Sequence, residues 1–131
     1  MSAGMPAFHV HLPGRIRSQS NARGHWSQRH RYAKAWRRDT AHLVADYMRV
    51  LERNGFDRID PKMRKRITFT ADVWSLMDDD NLESAIKPIR DGLQDAGVID
   101  SDAPEAGHKF IYRQRIQRGL APVVSLRIEL R

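Results

Sequence analysis

Residues 77–102 concentrate carboxylates in a chain that is otherwise strongly basic. The whole chain has 23 Lys and Arg against 16 Asp and Glu, which gives a formal net charge of +7. This stretch contains only Lys87 and Arg90 as basic residues, but half of the 16 acidic ones, namely Asp78, Asp79, Asp80, Glu83, Asp91, Asp95, Asp100 and Asp102. Clustered carboxylates suit Mg²⁺ or Mn²⁺, which prefer oxygen ligands. Together with a lysine for a phosphate, they are the groups used in metal-assisted phosphodiester hydrolysis.

Two other kinds of metal site fit the sequence less well. An EF-hand loop counted from Asp78 requires a glycine and an acidic residue where the chain has Glu83 and Ile89. A zinc–thiolate site is excluded because the chain has no Cys. His9 and His11 are closely spaced, but on a strand two such residues simply face the same side.

Apolar residues at helical spacing predict an amphipathic helix over residues 80–96. These residues are Leu82, Ile86, Ile89, Leu93 and Ala96. We expect Asp79 or Asp80 to cap the helix, with Glu83 in the capping-box position, and Gly97 to end it. Acidic residues in a first turn also stabilise a helix through its dipole, so these three carboxylates have a purely structural explanation as well.

One stripe of the predicted helix combines carboxylates with the lysine. At about 100° per residue, Lys87 and Asp91 each lie within about 20° of Asp80. Asp78 lies just upstream of this stripe. Asp102 can fold over the start of the helix only if the chain turns after residues 98–99.

Three short motifs in this region have the order and spacing of a known family. They are Asp78-x-Asp80-Asn81-Leu82, Lys87-x-x-x-Asp91-Gly92-Leu93, and Ala96-Gly97-Val98-Ile99 followed by Asp102. Together with Leu12-Pro13 and the polar and aromatic residues from Ser20 to Trp36, they resemble the RusA family of Holliday-junction resolvases. The resemblance covers residues 8–105.

The resemblance implies a small α+β homodimer that binds and cuts branched DNA, four-way junctions in particular, in recombination and repair. It implies a Mg²⁺ site, with Mn²⁺ as a substitute, formed by Asp78, Asp80 and Asp102. It assigns Lys87 to the chemistry, and Asp91 is then expected to orient this lysine or to bind a second ion. It also implies a bacterial or phage-encoded protein.

The chain departs from the family pattern at two positions. The family lysine lies three residues after the asparagine, where this chain has Ser84, and Lys87 follows three residues later. Ser101 stands in place of one of two late aspartates. These departures leave a second hypothesis open, a non-catalytic DNA-binding or structural protein on the same scaffold, and a nuclease for single strands or RNA is a third.

The basic residues outside this region predict a polyanionic partner, nucleic acid above all. They concentrate in three places: a loop over residues 14–24, the first half of a helix predicted over residues 27–53, and a cluster over residues 62–66. In the first half of the helix, positive charge opposes the helix dipole. Trp26 and Tyr32 can either stack on a base or pack in a core or dimer interface. The predicted DNA contacts are Arg15, Arg17, Arg23, Arg29, Arg31, Lys34, Arg37, Lys62, Arg64 and Lys65.

The rest of the pattern predicts one α+β domain over residues 1–131, with residues 1–7 disordered. We expect the order β-α-β-α-β-β and a mixed sheet covered mainly on one face by the two helices. Residues 117–122 could join the last two strands as a hairpin. Alternating or β-branched residues predict the strands at 8–12, 67–74, 110–112 and 123–130.

Composition narrows the class of protein further. The chain has no Cys, no apolar run as long as a membrane span and no apolar stretch near its first residue. We therefore expect a cytoplasmic protein without a membrane partner.

Overall fold

The computed structural model describes residues 7–18 and 26–131. Within these two ranges, two helices and four strands follow in the predicted order, so the predicted α+β class is confirmed. The elements are β1 (Phe8–Pro13), α1 (Trp26–Arg53), β2 (Lys65–Val73), α2 (Asp79–Asp95), a 3₁₀ turn (Pro104–Ala106), β3 (Lys109–Ile116) and β4 (Val123–Leu130). Most of the segment that we expected to be disordered, and Arg23, lie outside the described residues. In the part of the chain that is described, no helix has both the length and the apolar character to cross a membrane.

The four strands form one mixed sheet in the order β1-β4-β2-β3. β4 is antiparallel to both β1 and β2, whereas β2 and β3 are parallel. β1, β2 and β3 therefore run in the same direction and end at the same edge of the sheet. The hairpin suggested for residues 117–122 is wrong, because β2 lies between β3 and β4. Alternation along a strand indicates which side chains are buried, but not which strand is its neighbour.

One face of the sheet forms the core with α2 and part of α1. Apolar side chains lie opposite one another across the strands, as in the pairs Val10–Leu126 and Phe69–Leu126. The opposite face is polar, and His9 and His11 are both exposed on it, as their spacing predicts. The predicted apolar positions of α2 complete the core, with Leu82, Ile86, Ile89 and Leu93 all buried.

The two helices approach each other closely at Gly92. A Cβ atom built at Gly92 would lie 2.7 Å from the Arg37 carbonyl oxygen and 2.7 Å from the Thr40 Cβ, so a larger residue would push α1 away. Next to this contact, Arg37 forms a two-pronged ion pair with Asp95, with N–O distances of 2.6 and 2.8 Å. α1 begins at Trp26, one residue before the predicted start at residue 27.

Candidate functional site

Several chain segments with polar side chains meet at the edge where β1, β2 and β3 end. β4 begins at this edge, and α2 begins shortly after β2 leaves it. A cleft of about 490 Å³ opens there, and its lining includes Arg15, Arg17, Trp74, Asp78 and Asn81. In open sheets with parallel strands, ligands commonly bind where the strands end. The sheet topology thus brings predicted phosphate contacts and the first predicted metal ligand into one cleft.

Asp78 is the N-cap of α2, which corrects the expected capping by Asp79 or Asp80. One carboxylate oxygen of Asp78 accepts a hydrogen bond from the backbone N–H of Asn81 at 2.8 Å, and the other accepts from the Asn81 side chain at 3.1 Å. The predicted capping box is also absent at Glu83, whose carboxylate instead lies 3.4 Å from Arg90. The Asp-x-Asp-Asn motif therefore has a local structural role. Each carboxylate oxygen has two lone pairs, so Asp78 can still accept a cation.

Asp80 lies in the first turn of α2 and is exposed. Within residues 7–18 and 26–131, its carboxylate has no hydrogen-bond or ion-pair partner. An exposed carboxylate at the positive end of a helix dipole is accessible from solvent. Asp80 is thus free to bind a cation without giving up a protein contact.

Asp102 is engaged by Arg90, a residue whose part in the site the sequence did not indicate. The guanidinium lies 3.1 Å from the Asp102 carboxylate and donates to the Tyr112 hydroxyl at 2.6 Å. It also lies 5.2 Å from the Phe110 ring centroid, and the Arg90 side chain is only 12% exposed. Burial works to lower the pKa of Arg90, but Tyr112, Asp102 and Glu83 outweigh it and raise that pKa. Arg90 is therefore a permanent buried cation beside Asp102.

The two residues before Asp102 have partners of their own. Asp100 accepts a hydrogen bond from the backbone N–H of Ser101 at 3.0 Å and lies 2.8 Å from the His108 ring nitrogen. The contact with His108 is the main cause of a lowered pKa at Asp100. The Ser101 hydroxyl accepts from the backbone N–H of Ala103 at 3.0 Å. Both side chains thus shape the turn that presents Asp102.

Two of the three predicted metal ligands lie together at the start of α2, and the third is paired with Arg90. Among the described residues, no three His, Asp or Glu side chains are placed to share one ion. Mg²⁺ is often bound by one or two carboxylates, with water and substrate phosphates completing its shell. Asp78 and Asp80, two residues apart at the start of α2, are the candidates for such a site. Asp102 has one carboxylate oxygen engaged by Arg90, and its assignment as a metal ligand stays a prediction.

Lys87 and Asp91 contact each other on the exposed stripe predicted for α2. The ammonium of Lys87 lies 3.2 and 3.3 Å from the two carboxylate oxygens of Asp91. The Lys87 side chain is 54% exposed, so a phosphate can reach it. Asp91 also lines a second cleft, of about 380 Å³, between the helices, together with Lys34 and Arg37. This geometry is compatible with Asp91 orienting Lys87.

Lys65 requires a correction, because it is not a surface cation. The residue is completely buried, and its ammonium donates to the backbone carbonyls of Asp60 at 2.6 Å and Met63 at 2.7 Å. Burial lowers the pKa of Lys65, partly offset by the charges of Asp60 and Asp100. Lys65 fixes the connection before β2 and cannot contact DNA in this fold.

The other described residues predicted to contact DNA differ in how available they are. Arg15 is half-buried, and Arg37 is committed to Asp95, whose hydrogen bond is the main cause of a raised pKa at Arg37. The remaining side chains are all exposed. They are Arg17 on the segment after β1, Arg29, Arg31 and Lys34 in the first half of α1, and Lys62 and Arg64 on the connection to β2.

The aromatic residues Tyr32 and Trp26 have different environments. The Tyr32 hydroxyl accepts from the backbone N–H of Arg17 and donates to the carbonyl of Ala85, both at 3.1 Å. Burial is the main cause that raises the pKa of Tyr32 to about 12. Tyr32 therefore ties the segment after β1 to α2, whereas Trp26 is 71% exposed and packs edge-on against His30.

The sequence also failed to single out Trp74 and Arg118 as part of the site. Trp74 follows β2 and is 58% exposed. The Arg118 guanidinium lies 5.4 Å from the Trp74 ring centroid, and the Arg15 guanidinium lies 5.7 Å from it. An aromatic residue between a strand and an acidic motif is a signal that could have drawn attention to Trp74, but these arginines are brought to it only by the fold.

Comparison of the chain with protein-family models and with curated proteins gives no match.

Proposed function

We propose that this chain is a Mg²⁺-dependent endodeoxyribonuclease that acts on branched DNA, such as four-way junctions, and works as a homodimer. The observation that carries the proposal is the position of the Asp-x-Asp-Asn motif. It begins α2 at the edge where three strands end, in a cleft that also contains Arg15 and Arg17. The carboxylate of Asp78, for a metal ion, and two arginines, for a phosphodiester, thus line one cleft, and Asp80 lies two residues further along α2.

In this proposal the roles of the residues follow from their surroundings. Asp78 and Asp80 hold the Mg²⁺, which when bound supplies a Lewis acid and an activated water. Lys87, steadied by Asp91, stabilises negative charge that develops on the phosphate. The net charge of +7 favours association with the polyanionic backbone. Asp102 contributes the third carboxylate, with one of its oxygens still engaged by Arg90.

A second candidate function is non-catalytic binding of DNA on the same scaffold. The pair formed by Arg90 and Asp102 favours it, because a carboxylate held by a buried guanidinium is already neutralised. In this alternative, the carboxylates at the start of α2 act only as helix cap and first-turn charges. The basic surface would bind DNA without hydrolysis.

Incubation of the protein with labelled DNA separates the two candidates. The substrates are a four-way junction, a fork, a flap and a linear duplex, each with Mg²⁺ and with EDTA. The nuclease proposal expects cuts near the branch point with Mg²⁺ only, and little cutting of the linear duplex. Tight junction binding without cuts under either Mg²⁺ or Mn²⁺ would favour the second candidate. Light scattering of the free and DNA-bound protein tests the homodimer.

A further inference from the structure

Trp74 presents a large aromatic surface to solvent beside the acidic motif. It is 58% exposed and lines the same cleft as Asp78 and Asn81. Its backbone position is fixed, because β2 ends at Val73, whose carbonyl accepts from the backbone N–H of Gln117 at 2.9 Å. A tryptophan on a fixed backbone can gain contact area from a partner at little cost in conformational entropy, because only two side-chain torsions become ordered.

Two arginines near the Trp74 ring are held by main-chain carbonyls. Arg15 donates to the carbonyls of Gln117 at 2.6 Å and Gly119 at 3.3 Å, and Arg118 donates to the carbonyl of Trp74 itself at 3.1 Å. Within the described residues, neither arginine forms an ion pair. Their charges are therefore pre-positioned and not committed to an ion pair, although the charge of Arg15 helps to lower the pKa of Asp72.

The surroundings of Trp74 are apolar as well as cationic. Leu76, which lines the same cleft, is 64% exposed, and Ile116, which pairs with Val73 across the sheet, is 53% exposed. Exposed apolar surface of this kind indicates a contact site. The chemistry of an aromatic ring with fixed guanidinium groups matches that of a nucleotide, because a base stacks on the ring and phosphates pair with the arginines.

We propose that Trp74 stacks on an unpaired nucleobase of a DNA strand, while Arg15 and Arg118 contact the phosphates next to that base. A base inside a duplex is already stacked on both sides, so this contact selects strands that are unpaired or distorted at a branch point. The effect of this stacking on cleavage rests on the proposed nuclease function, whereas the stacking itself does not. Because Trp74 and Asp78 line one cleft, the stacked base brings a neighbouring phosphate to the acidic motif, and Trp74 acts as a specificity-determining residue.

The test measures DNA binding with EDTA present, so it does not depend on cleavage. Fluorescence anisotropy gives the affinity for an oligothymidylate strand, for a blunt duplex of equal length and for a four-way junction. We expect Trp74→Ala to weaken single-strand binding by about tenfold or more, the effect of losing one base–aromatic stack, and to leave duplex binding nearly unchanged. Trp74→Phe should keep most of the affinity. Val50→Ala, which removes an exposed apolar side chain on α1 (47% exposed), should change none of the three affinities.

A second experiment measures binding of wild type and Trp74→Ala to the same strands with one base removed (an abasic site). If Trp74 stacks on one base, removing the base at its preferred position should weaken wild-type binding and abolish the difference between wild type and Trp74→Ala. An equal loss of single-strand and duplex affinity in Trp74→Ala, or no loss, overturns the inference. A variant that becomes monomeric with unchanged DNA affinity also overturns it, and identifies the patch as a contact between copies of the chain.

Failure of the stacking and failure of the nuclease proposal give different results. A Trp74→Ala protein that still cuts junctions at the wild-type rate and affinity overturns the stacking alone. A wild-type protein that never cuts DNA, but loses single-strand affinity selectively in Trp74→Ala, supports the stacking and overturns the nuclease proposal.

Discussion

The guanidinium of Arg90 lies 3.1 Å from the carboxylate of Asp102, although the two residues belong to different parts of the chain. The same guanidinium donates to Tyr112 on β3, so it links α2, the turn at Asp102 and the sheet. At about 100° per residue, Arg90 lies about 60° from Lys87 around α2, and this spacing alone would make it a simple control for Lys87. The contact with Asp102 makes Arg90 unsuitable for that purpose.

We expect Arg90→Met to lower the free energy of unfolding by about 1–3 kcal/mol, because Asp102 and Tyr112 lose a charged donor while most of the packing on Phe110 is kept. Urea unfolding measures this change. Arg38→Met is the matched control, because Arg38 pairs with Asp39 and the two side chains are 59% and 60% exposed. It should change stability by less than about 0.5 kcal/mol. Equal effects of the two variants would show that the Arg90 contacts contribute little.

If the chain is a nuclease, Asp80→Asn should reduce junction cleavage by more than about a hundredfold, because it removes a carboxylate from the proposed metal site. Junction affinity should stay the same or increase, since one negative charge that repels phosphate is lost. Asp79→Asn alters the adjacent exposed carboxylate and should have little effect on cleavage. Cleavage by Asp80→Asn at near wild-type rate would show that Asp80 is not a metal ligand.

On the same proposal, Lys87→Ala should lower the turnover number by about a hundredfold, with little change in junction affinity, because its charge is used in the transition state. Asp91→Asn should cause a smaller loss, since it removes only the carboxylate that lies 3.2 Å from the lysine. Lys109→Ala removes an exposed lysine on β3 and serves as the control. If junction affinity falls as much as turnover, Lys87 binds the ground state and has no special part in catalysis.

DNA affinity should fall steeply with salt, because the basic residues of α1 release counterions from several phosphates. In a plot of log affinity against log salt concentration, Lys62→Met should reduce the slope by about one unit if Lys62 contacts a phosphate. Lys65→Met should leave the slope unchanged, because Lys65 is completely buried. A smaller slope in Lys65→Met, with its circular dichroism spectrum unchanged, would mean that the connection before β2 rearranges on DNA.

The buried carboxylate of Asp72 predicts how the stability of the fold depends on pH in the acidic range. Burial alone raises the pKa of Asp72, but hydrogen bonds from Arg115 at 2.5 Å and from the backbone N–H of Val123 at 3.0 Å outweigh it and hold the pKa below its usual value of 3.8. A carboxyl group with a lowered pKa in the folded state stabilises the fold above its unfolded pKa, and this contribution is lost as pH falls through the folded pKa.

Below pH 3.8, wild type should therefore lose stability more steeply than Asp72→Asn, although the variant is the less stable of the two at neutral pH. Urea unfolding at a series of pH values measures both slopes. Asp46→Asn, which alters a carboxylate that is 70% exposed, should keep the wild-type slope. Parallel curves for wild type and Asp72→Asn would contradict the lowered pKa.

Local sequence patterns determined much of the fold. The apolar repeat of α2, its end at Gly97 and the alternation of β2 and β4 follow from the periods of helix and strand, which depend on residues close together in the chain. The same is true of the contact between Lys87 and Asp91, one helical turn apart. The carboxylates at the start of α2 were also evident from the sequence, although Asp78, rather than its neighbours, proved to be the cap.

The tertiary structure alone decided the order of the strands, and with it the composition of the cleft. Arg15 and Gln117 are 102 residues apart, yet their hydrogen bond holds a guanidinium beside Trp74. No local period encodes such a contact, because it depends on β1, β2 and β3 ending at the same edge of the sheet. The burial of Lys65 and the pairing of Arg90 with Asp102 have the same origin. The local sequence does not predict the environment of a charged side chain. Only the packing around that side chain determines whether it contacts solvent, a carbonyl or a carboxylate.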